Sequence, residues 1–380
     1  MTHRIPTRSF RPRLVVTGVA LTASALLLAG CSGGSATGGD STSAPDGGSK
    51  GTIGVILPET ATSARWEAFD KPFLEEALAK EGYTADIQNA QGDVQKFSSL
   101  ADGMIAKQVD ALIIASPNPE VGVSVEQKAT AAGIPTIDYD RLNPGGTADY
   151  YVSFDNVEVG RLQGQALADA LADKPGAQVI QIEGAPDENN AVLFHEGQMD
   201  VLQPLYDDGT LTLVRDQFIL GWDNQLGGTT FEQILTSNGG KVDGVVAAND
   251  GMAGAVITVL QKNGLNGTVP VTGQDATLAG LQAILRGDQT MTVFKAIKKQ
   301  AEATAKLAAI AASGDVSAAD EYASSTTIDP KTNREIKSVL LDPSVVDKSS
   351  VKDVVDEGYV TAAELCTADL AAICESEGIK

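Results

Sequence analysis

Ile53-Gly54-Val55-Ile56-Leu57 opens an alternation that decides the fold. A short apolar, β-branched run of this length has the pattern of a buried strand. Behind it comes a longer stretch, Arg65 to Glu81, with apolar residues at helical spacing and a glycine, Gly82, just past its end. The two patterns then recur. Ala85–Asn89 is followed by helical Gln95–Gln108, and Ala111–Ala115, Thr136–Tyr139 and Tyr150–Phe154 supply three more strands. Repeated βα units of this kind build a parallel sheet.

Further along, the alternation starts again. Val179–Ile182, Leu211–Asp216, Val245–Ala248, Val269–Thr272 and Met291–Phe294 read as strands. Val157–Ala172, Asn190–Tyr206, Asn224–Thr236, Met252–Asn263 and Leu278–Arg286 read as helices. About 330 residues follow Thr52, more than one hydrophobic core usually serves. The expected architecture is therefore α/β, with two Rossmann-like, doubly wound parallel-sheet lobes joined by a multi-strand hinge. Lys299–Ser313 is strongly helical, and Ser324–Thr327 and Ser338–Leu341 are short extended segments suited to recrossing between lobes. The expected first lobe is 51–154 plus about 295–327, the second is 155–294 plus about 328–360, and 361–380 forms a helical tail.

In the other direction, Leu14 to Gly30 carries no charge and is preceded by Arg4, Arg8, Arg11 and Arg13, the charge order of a secretory signal. These 17 residues fall short of the ~20 that a membrane span needs. Leu28-Ala29-Gly30-Cys31 resembles the lipobox at which bacterial lipoprotein precursors are cut and lipidated. Residues 1–30 are thus expected to be a lipoprotein signal peptide, with Cys31 as the lipid attachment site. An uncleaved anchor helix is the alternative. Residues 31–50, rich in Ser, Gly, Thr, Ala and Asp, read as a flexible tether. The expected location is the outer face of a bacterial cell membrane.

The 380 residues include 28 basic and 50 acidic ones; four of the arginines lie in the leader, so 24 face 50 beyond it, a net −26. Nucleic acid is excluded as an expected partner, since neutralising phosphates takes the opposite sign. Beyond Cys31 only Cys366 and Cys374 remain, a possible disulfide in an exported protein. On one unbroken helix, eight residues rise ~12 Å, beyond the ~7 Å limit on Cα separation for a disulfide. Pairing requires a break, and Thr367 is the candidate N-cap for it. Paired and free thiols both stay open.

Doubly wound sheets carry function at the carboxyl ends of their strands. The segments there include Thr62-Ser63-Ala64-Arg65-Trp66, Asp138-Tyr139-Asp140-Arg141, Asp187-Glu188-Asn189-Asn190, Gly221-Trp222-Asp223, Asn249-Asp250, Gln274-Asp275 and Lys295. A neutral sugar needs such a set: carboxylates to accept from adjacent hydroxyls (Asp140, Asp275), cations to donate to ring and hydroxyl oxygens (Arg65, Arg141, Lys295), and amides that do both (Asn190, Asn249). Trp66 and Trp222 are the only tryptophans, and both fall in these segments. An indole stacks on the C–H face of a sugar. Each residue also has a plain structural use: Trp66 as core, Asp140-Arg141 as an ion pair or cap, Asn190 and Asn249 as helix caps, Lys295 as a surface charge. Their coincidence at strand ends is what favours a site.

Catalytic readings find little material. His3 lies in the leader and His195 reads as an ordinary helix-surface residue, which leaves nothing for histidine-based zinc sites or triads. No G-x-S-x-G elbow follows any of these strands, and no P-loop or dinucleotide fingerprint is present. No cofactor or metal is expected, and Asp140 with Asp275 is the one carboxylate pair to test for glycoside hydrolysis.

The segments Ser63-Ala64-Arg65-Trp66, Tyr139-Asp140-Arg141-Leu142, Tyr151-Val152-Ser153-Phe154-Asp155-Asn156, Asp187-Glu188-Asn189-Asn190-Ala191, Gly273-Gln274-Asp275-Ala276 and Val293-Phe294-Lys295 together resemble a known family. It is that of the solute-binding proteins of ABC-type monosaccharide importers, over roughly residues 52 to 360. Arg65-Trp66 is similar to the multiple-sugar branch, Gly221-Trp222 and Asn249-Asp250 to the xylose branch. The resemblance implies the type I periplasmic-binding-protein fold closing on one pyranose. It places Arg65, Asp140, Arg141, Asn190, Asn249, Asp275 and Lys295 at hydrogen-bonding positions and Trp66 and Trp222 at stacking walls. It also implies a monomer, a monosaccharide ligand such as D-xylose or glucose, and an ABC permease as partner. A sugar-sensing receptor without transport and a glycosidase are the alternatives. A transcription regulator of the lactose-repressor type shares the fold, but the leader disfavours it.

Overall fold

The computed structural model describes residues 49–380; the signal segment, Cys31 and the tether up to residue 48 lie outside them. Three βα units and two further strands build the first sheet: β1 (Thr52–Leu57), α1 (Lys71–Lys80), β2 (Thr84–Asn89), α2 (Val94–Ala106), β3 (Ala111–Ile114), α3 (Pro119–Ala131), β4 (Thr136–Tyr139) and β5 (Tyr150–Phe154). The strands are parallel, with β1 between β2 and β3. Side chains of β1 alternate between two helical layers. Ile53, Val55 and Leu57 pack with Leu74 and Leu78 of α1, whereas Ile56 packs with Phe97 and Val125 from α2 and α3. Burial on both faces explains why β1 and β3 read as unbroken apolar runs.

The second lobe repeats the plan with α4 (Asn156–Ala170), β6 (Ala177–Glu183), α5 (Asn189–Asp207), β7 (Leu211–Phe218), α6 (Asn224–Ser237), β8 (Gly244–Ala247), α7 (Asp250–Lys262), α8 (Leu278–Arg286) and β9 (Thr292–Phe294). Here β6 lies between β7 and β8. The expected strand Val269–Thr272 is reduced to a single bridge, Val245 to Val271. Pro270 has no N–H to give to a ladder, and the Thr272 hydroxyl bonds the backbone of Ala247 instead.

Past β9 the chain returns to the first lobe as α9 (Ile297–Ala312), α10 (Val316–Tyr322), β10 (Ser325–Ile328) and β11 (Glu335–Leu341). β11 pairs parallel with β5, from Lys337 opposite Tyr150 to Leu341 opposite Phe154. The return to the second lobe expected near 328 therefore falls after Leu341, because fully buried β5 needs a partner on its outer edge and 335–341 supplies it. β12 (Ser344–Val346) then pairs antiparallel with β9. The lobes are thus joined near Asp155, at Lys295-Ala296 and at Asp342-Pro343.

The last helices, α11 (Val351–Asp356), α12 (Ala362–Leu365) and α13 (Ala371–Ser376), are not a separate tail. Leu365, Leu370 and Cys374 share one core with Leu281 and Leu285 of α8 in the second lobe. Cys366 and Cys374 form a disulfide with Cα atoms 5.9 Å apart, reached by the break between α12 and α13. Thr367 is not the cap of α13; Leu370 holds that position, and the Thr367 hydroxyl donates to Asp369. No helix among the described residues is long and apolar enough to cross a membrane.

Candidate functional site

The loops at the carboxyl ends of both sheets meet in a cavity between the lobes. Its lining includes Arg65, Trp66, Asp140, Arg141, Asn190, Trp222, Asn249, Asp275 and Lys295, so the structure brings all nine sequence-predicted residues together. The cavity is narrow, about 30 Å³.

The first lobe supplies a buried charge network. Trp66–Asp70 forms a π-helical turn ahead of α1, a widened geometry frequent at functional sites. The turn brings Asp70 back under Arg65. Arg65 donates from Nε and Nη2 to the two carboxylate oxygens of Asp70 at 3.0 and 2.8 Å, and from Nη1 to Asp140 Oδ1 at 2.8 Å. Tyr139 donates its hydroxyl to Asp70 at 2.7 Å, and Gln300 of α9 accepts from Arg65 at 3.3 Å. Burial works against the charge of Arg65, but Asp140 and Asp70 outweigh it and hold the guanidinium firmly protonated. Arg65 and Arg141 lie 4.5 and 5.2 Å from the centre of the Trp66 ring, so the indole is flanked by two cations.

Asp140 is the hub. Its backbone takes the left-handed region at φ 65°, and its carbonyl accepts from the Tyr151 hydroxyl at 3.0 Å, the Ser153 hydroxyl at 2.9 Å and Asn190 Nδ2 at 2.9 Å. Burial would raise its carboxyl pKa, but Arg65, Lys295 and Arg141 together pull it down to about 2. It is a standing charge acceptor at neutral pH, which is the wrong protonation state for a glycosidase general acid.

The second lobe closes the other side. Lys295 Nζ lies 3.1 Å from Asp275 Oδ1, an ion pair whose geometry falls short of a hydrogen bond, and 3.9 Å from Asp140. Asp275 also has positive φ, at 94°. Its loop is held by Asp250, which accepts from the backbone and hydroxyl of Thr277 and from Gln289 and Thr292. Asn249 lines the cavity and also performs the plain role, capping α7 through Met252 N at 2.9 Å. Trp222, at φ 56°, donates its Nε1 to Glu188 and meets Phe194 edge-on at 6.3 Å.

Contacts that tie the lobes across the cleft include Asn190 to the Asp140 carbonyl, the Tyr151 hydroxyl to Asn190 Oδ1 at 3.4 Å, Arg141 Nε to Glu188 at 3.1 Å, and Asn224 Nδ2 to the Thr62 carbonyl at 3.3 Å. Ser63, Phe194 and Gln274, to which the sequence assigns no role, also line the cavity. Ser63 and Gln274 lie inside segments that the strand-end rule singles out, but their chain positions carry no sign of burial. Phe194 sits at helical spacing and is indistinguishable there from ordinary core. Ser63 Oγ, Trp66 Nε1, Gln274 Oε1 and Asp275 Oδ1 are all buried without a hydrogen-bond partner in the protein. Asp275 Oδ1 still has its ion pair with Lys295, so Ser63 Oγ, Trp66 Nε1 and Gln274 Oε1 are the three left without any partner, at a cost of about 1–3 kcal/mol each.

Away from the cavity, His195 is not the surface residue expected. It is half-buried, 2.7 Å from Asp216, and packs against Phe218. That ion pair raises its pKa, and burial pushes the carboxyls of Glu183 and Asp250 up to about 7. A carboxyl raised in the fold adds stability that is complete below its unfolded value near 4 and lost as pH rises through 7; His195 loses its contribution above about 6.5. Melting temperature should accordingly fall by at least about 5 °C between pH 5 and pH 8. Differential scanning calorimetry across that range checks it, and a flat or rising profile contradicts it. Among the described residues no group of three or more His, Cys, Asp or Glu side chains is placed to hold a metal ion.

Comparison with known proteins places the chain in a family. Residues 53–315 match the periplasmic binding protein domain model. The D-xylose-binding periplasmic protein of Escherichia coli K12 is 37% identical over 314 residues, 82% of this chain and 92% of its own length. A multiple sugar-binding periplasmic protein of Azospirillum brasilense is 35% identical over 346 residues, 87% of this chain and 94% of its own. Among solved structures, an ABC transporter solute-binding protein of Clostridium phytofermentans with bound β-D-glucose superposes with a TM-score of 0.74 at 29% identity, covering 83% of this chain and 99% of that one. The lobes, their parallel sheets and the crossings between them are those of the type I periplasmic binding fold. This chain belongs to the periplasmic binding protein domain family.

Proposed function

We propose that this protein is the extracytoplasmic sugar receptor of an ABC importer, binding one monosaccharide, D-xylose or a related aldopyranose such as glucose, in the cavity between its lobes. The observation that carries the reading is the cavity itself. It joins an ionised acceptor, Asp140, with cationic donors and with three unpartnered polar atoms, Ser63 Oγ, Trp66 Nε1 and Gln274 Oε1, between two indole-bearing walls. Neutral sugars match that alternation of acceptors, donors and apolar faces. The names and bound ligand of its relatives support the same class.

The mechanism follows from the division of the contacts. Arg65, Trp66, Asp140 and Arg141 belong to the first lobe, and Asn190, Trp222, Asn249 and Asp275 to the second. A ligand touching both favours the closed arrangement, and its differential affinity for that arrangement is what shifts the equilibrium. The permease then meets a closed surface different from that of the empty receptor. Lipidation at Cys31 would keep the receptor beside its permease on a tether of about twenty residues, raising its effective concentration there.

Tryptophan fluorescence tests the site, since both indoles line it. Titration with xylose, glucose, galactose, arabinose and ribose should give a saturable change with at least one sugar, and Trp222→Phe should remove part of that response. No response to any of the five counts against the assignment.

A further inference from the structure

The inner cavity does not end at its outer wall. Beyond it lies a second chamber between the lobes, about 230 Å³ against about 30 Å³ for the inner cavity. The two share Thr62, Arg141, Glu188 and Trp222. Their partition is made of side chains: the Arg141–Glu188 ion pair and the indole that Glu188 holds. Arg141 and Glu188 each keep 11% of the side chain exposed, against 2%, 6% and 4% for Arg65, Asp140 and Lys295, so the partition faces both ways. The chamber stays open although contacts such as Asn190 to Asp140 and Asn224 to Thr62 already tie the lobes together.

Its walls suit a sugar too. Pro117, Pro119, Leu142 and Ala185 give apolar surface from both lobes, and Gln91 and Asn118 bring amides. Charge there is mostly negative. Glu59, Asp187 and Glu188 line it with Arg141 as the one cation, and Arg141 is committed to Glu188 and to the Ser116 carbonyl. An anionic second unit would meet repulsion; a neutral one would not.

We propose that the ligands of this receptor include neutral glycosides, with one pyranose in the inner cavity and a second sugar unit in the outer chamber. The glycosidic oxygen passes the partition where Arg141 and Glu188 meet. This rests on reading the inner cavity as a pyranose site, and the closing experiment separates the two. Calorimetric titration of the full-length protein compares D-xylose with xylobiose, and D-glucose with cellobiose and maltose. At least one disaccharide should bind within about tenfold of its monosaccharide. Ala61→Trp, which fills the chamber from an exposed position outside the inner cavity, should weaken that disaccharide at least about tenfold and change the monosaccharide less than about threefold. Gln91→Gly, tolerated by the left-handed backbone at φ 58°, should weaken the disaccharide alone. Monosaccharide binding without any disaccharide binding overturns the proposal and leaves the inner site standing, as does an equal effect of Ala61→Trp on both ligands. Failure of every sugar to bind overturns the inner site with it.

Discussion

Asp140→Asn is expected to lower monosaccharide affinity by at least about a hundredfold, close to 3 kcal/mol. The substitution keeps the shape of the side chain and removes only its charge. That charge is what Arg65, Lys295 and Arg141 are arranged around. Without it, three buried or half-buried cations face a ligand that has no charge to offer, and the strongest acceptor for sugar hydroxyls is gone. Taking one partner from a buried charge pair costs about 3–5 kcal/mol where nothing else compensates. Here Asp70 still holds Arg65 from two sides and Asp275 still faces Lys295, so the cost to folding is smaller. The lowering of the Asp140 pKa from 3.8 to about 2 corresponds to about 2 kcal/mol. For a depressed carboxyl the contribution is complete above the unfolded value and lost as pH falls through the folded one. The gap in melting temperature between the parent and Asp140→Asn should therefore be open at pH 7 and close between pH 4 and about 2. A variant that binds sugar like the parent, or a gap independent of pH, would remove Asp140 from the centre of the site.

Gly160→Ala should cost about 2 kcal/mol of stability or more and weaken sugar binding by more than about tenfold. On helical propensity alone the change would be favourable by about 1 kcal/mol, so the predicted sign comes from packing. A Cβ on Gly160 of α4 would stand 1.9 Å from the carbonyl oxygen of Phe194 and 2.8 Å from the amide of Gln198, both backbone atoms of α5. The crossing is reciprocal, since a Cβ on Gly197 would stand 1.9 Å from the carbonyl oxygen of Val157. Neither obstacle is a side chain that can turn away, so the two helices must part. The first turn of α5 carries Asn190, which reaches across the cleft to Asp140. Displacing the helix pulls that contact out of register and transmits a packing defect to the cavity. Urea melts paired with sugar titrations check both halves. Unchanged stability would mean that α4 and α5 separate at no cost, and lost stability with intact affinity would mean that the crossing does not position Asn190.

Much of the site is legible in the chain's own pattern, for a specific reason. In parallel α/β sheets the strand ends converge, so residues distant in the chain but equivalent in pattern, such as Trp66 and Trp222 or Asp140 and Asp275, are brought together by topology alone. The supporting layer is not legible. Asp70 carries no role in the sequence pattern, yet it is fully buried and grips Arg65 where the first turn widens into π geometry. His195 reads as a surface residue because its partner, Asp216, arrives from another strand.

From the sequence alone come the period of the apolar runs, hence strands buried on both faces and a parallel sheet in each lobe, and the chemistry gathered at the strand ends. Those depend on neighbours along the chain, where spacing fixes which face a side chain takes. Other features depend on meetings between distant segments. Residues 335–341 extend the first sheet and not the second because the free edge of β5 lies there. Asp140 and Asp275 adopt left-handed backbone because their surroundings hold them in it. The same is true of the glycine crossing of α4 and α5, and of the contacts that join the lobes. Tertiary structure alone decides these, since the energy that selects them comes from contacts that no local pattern contains.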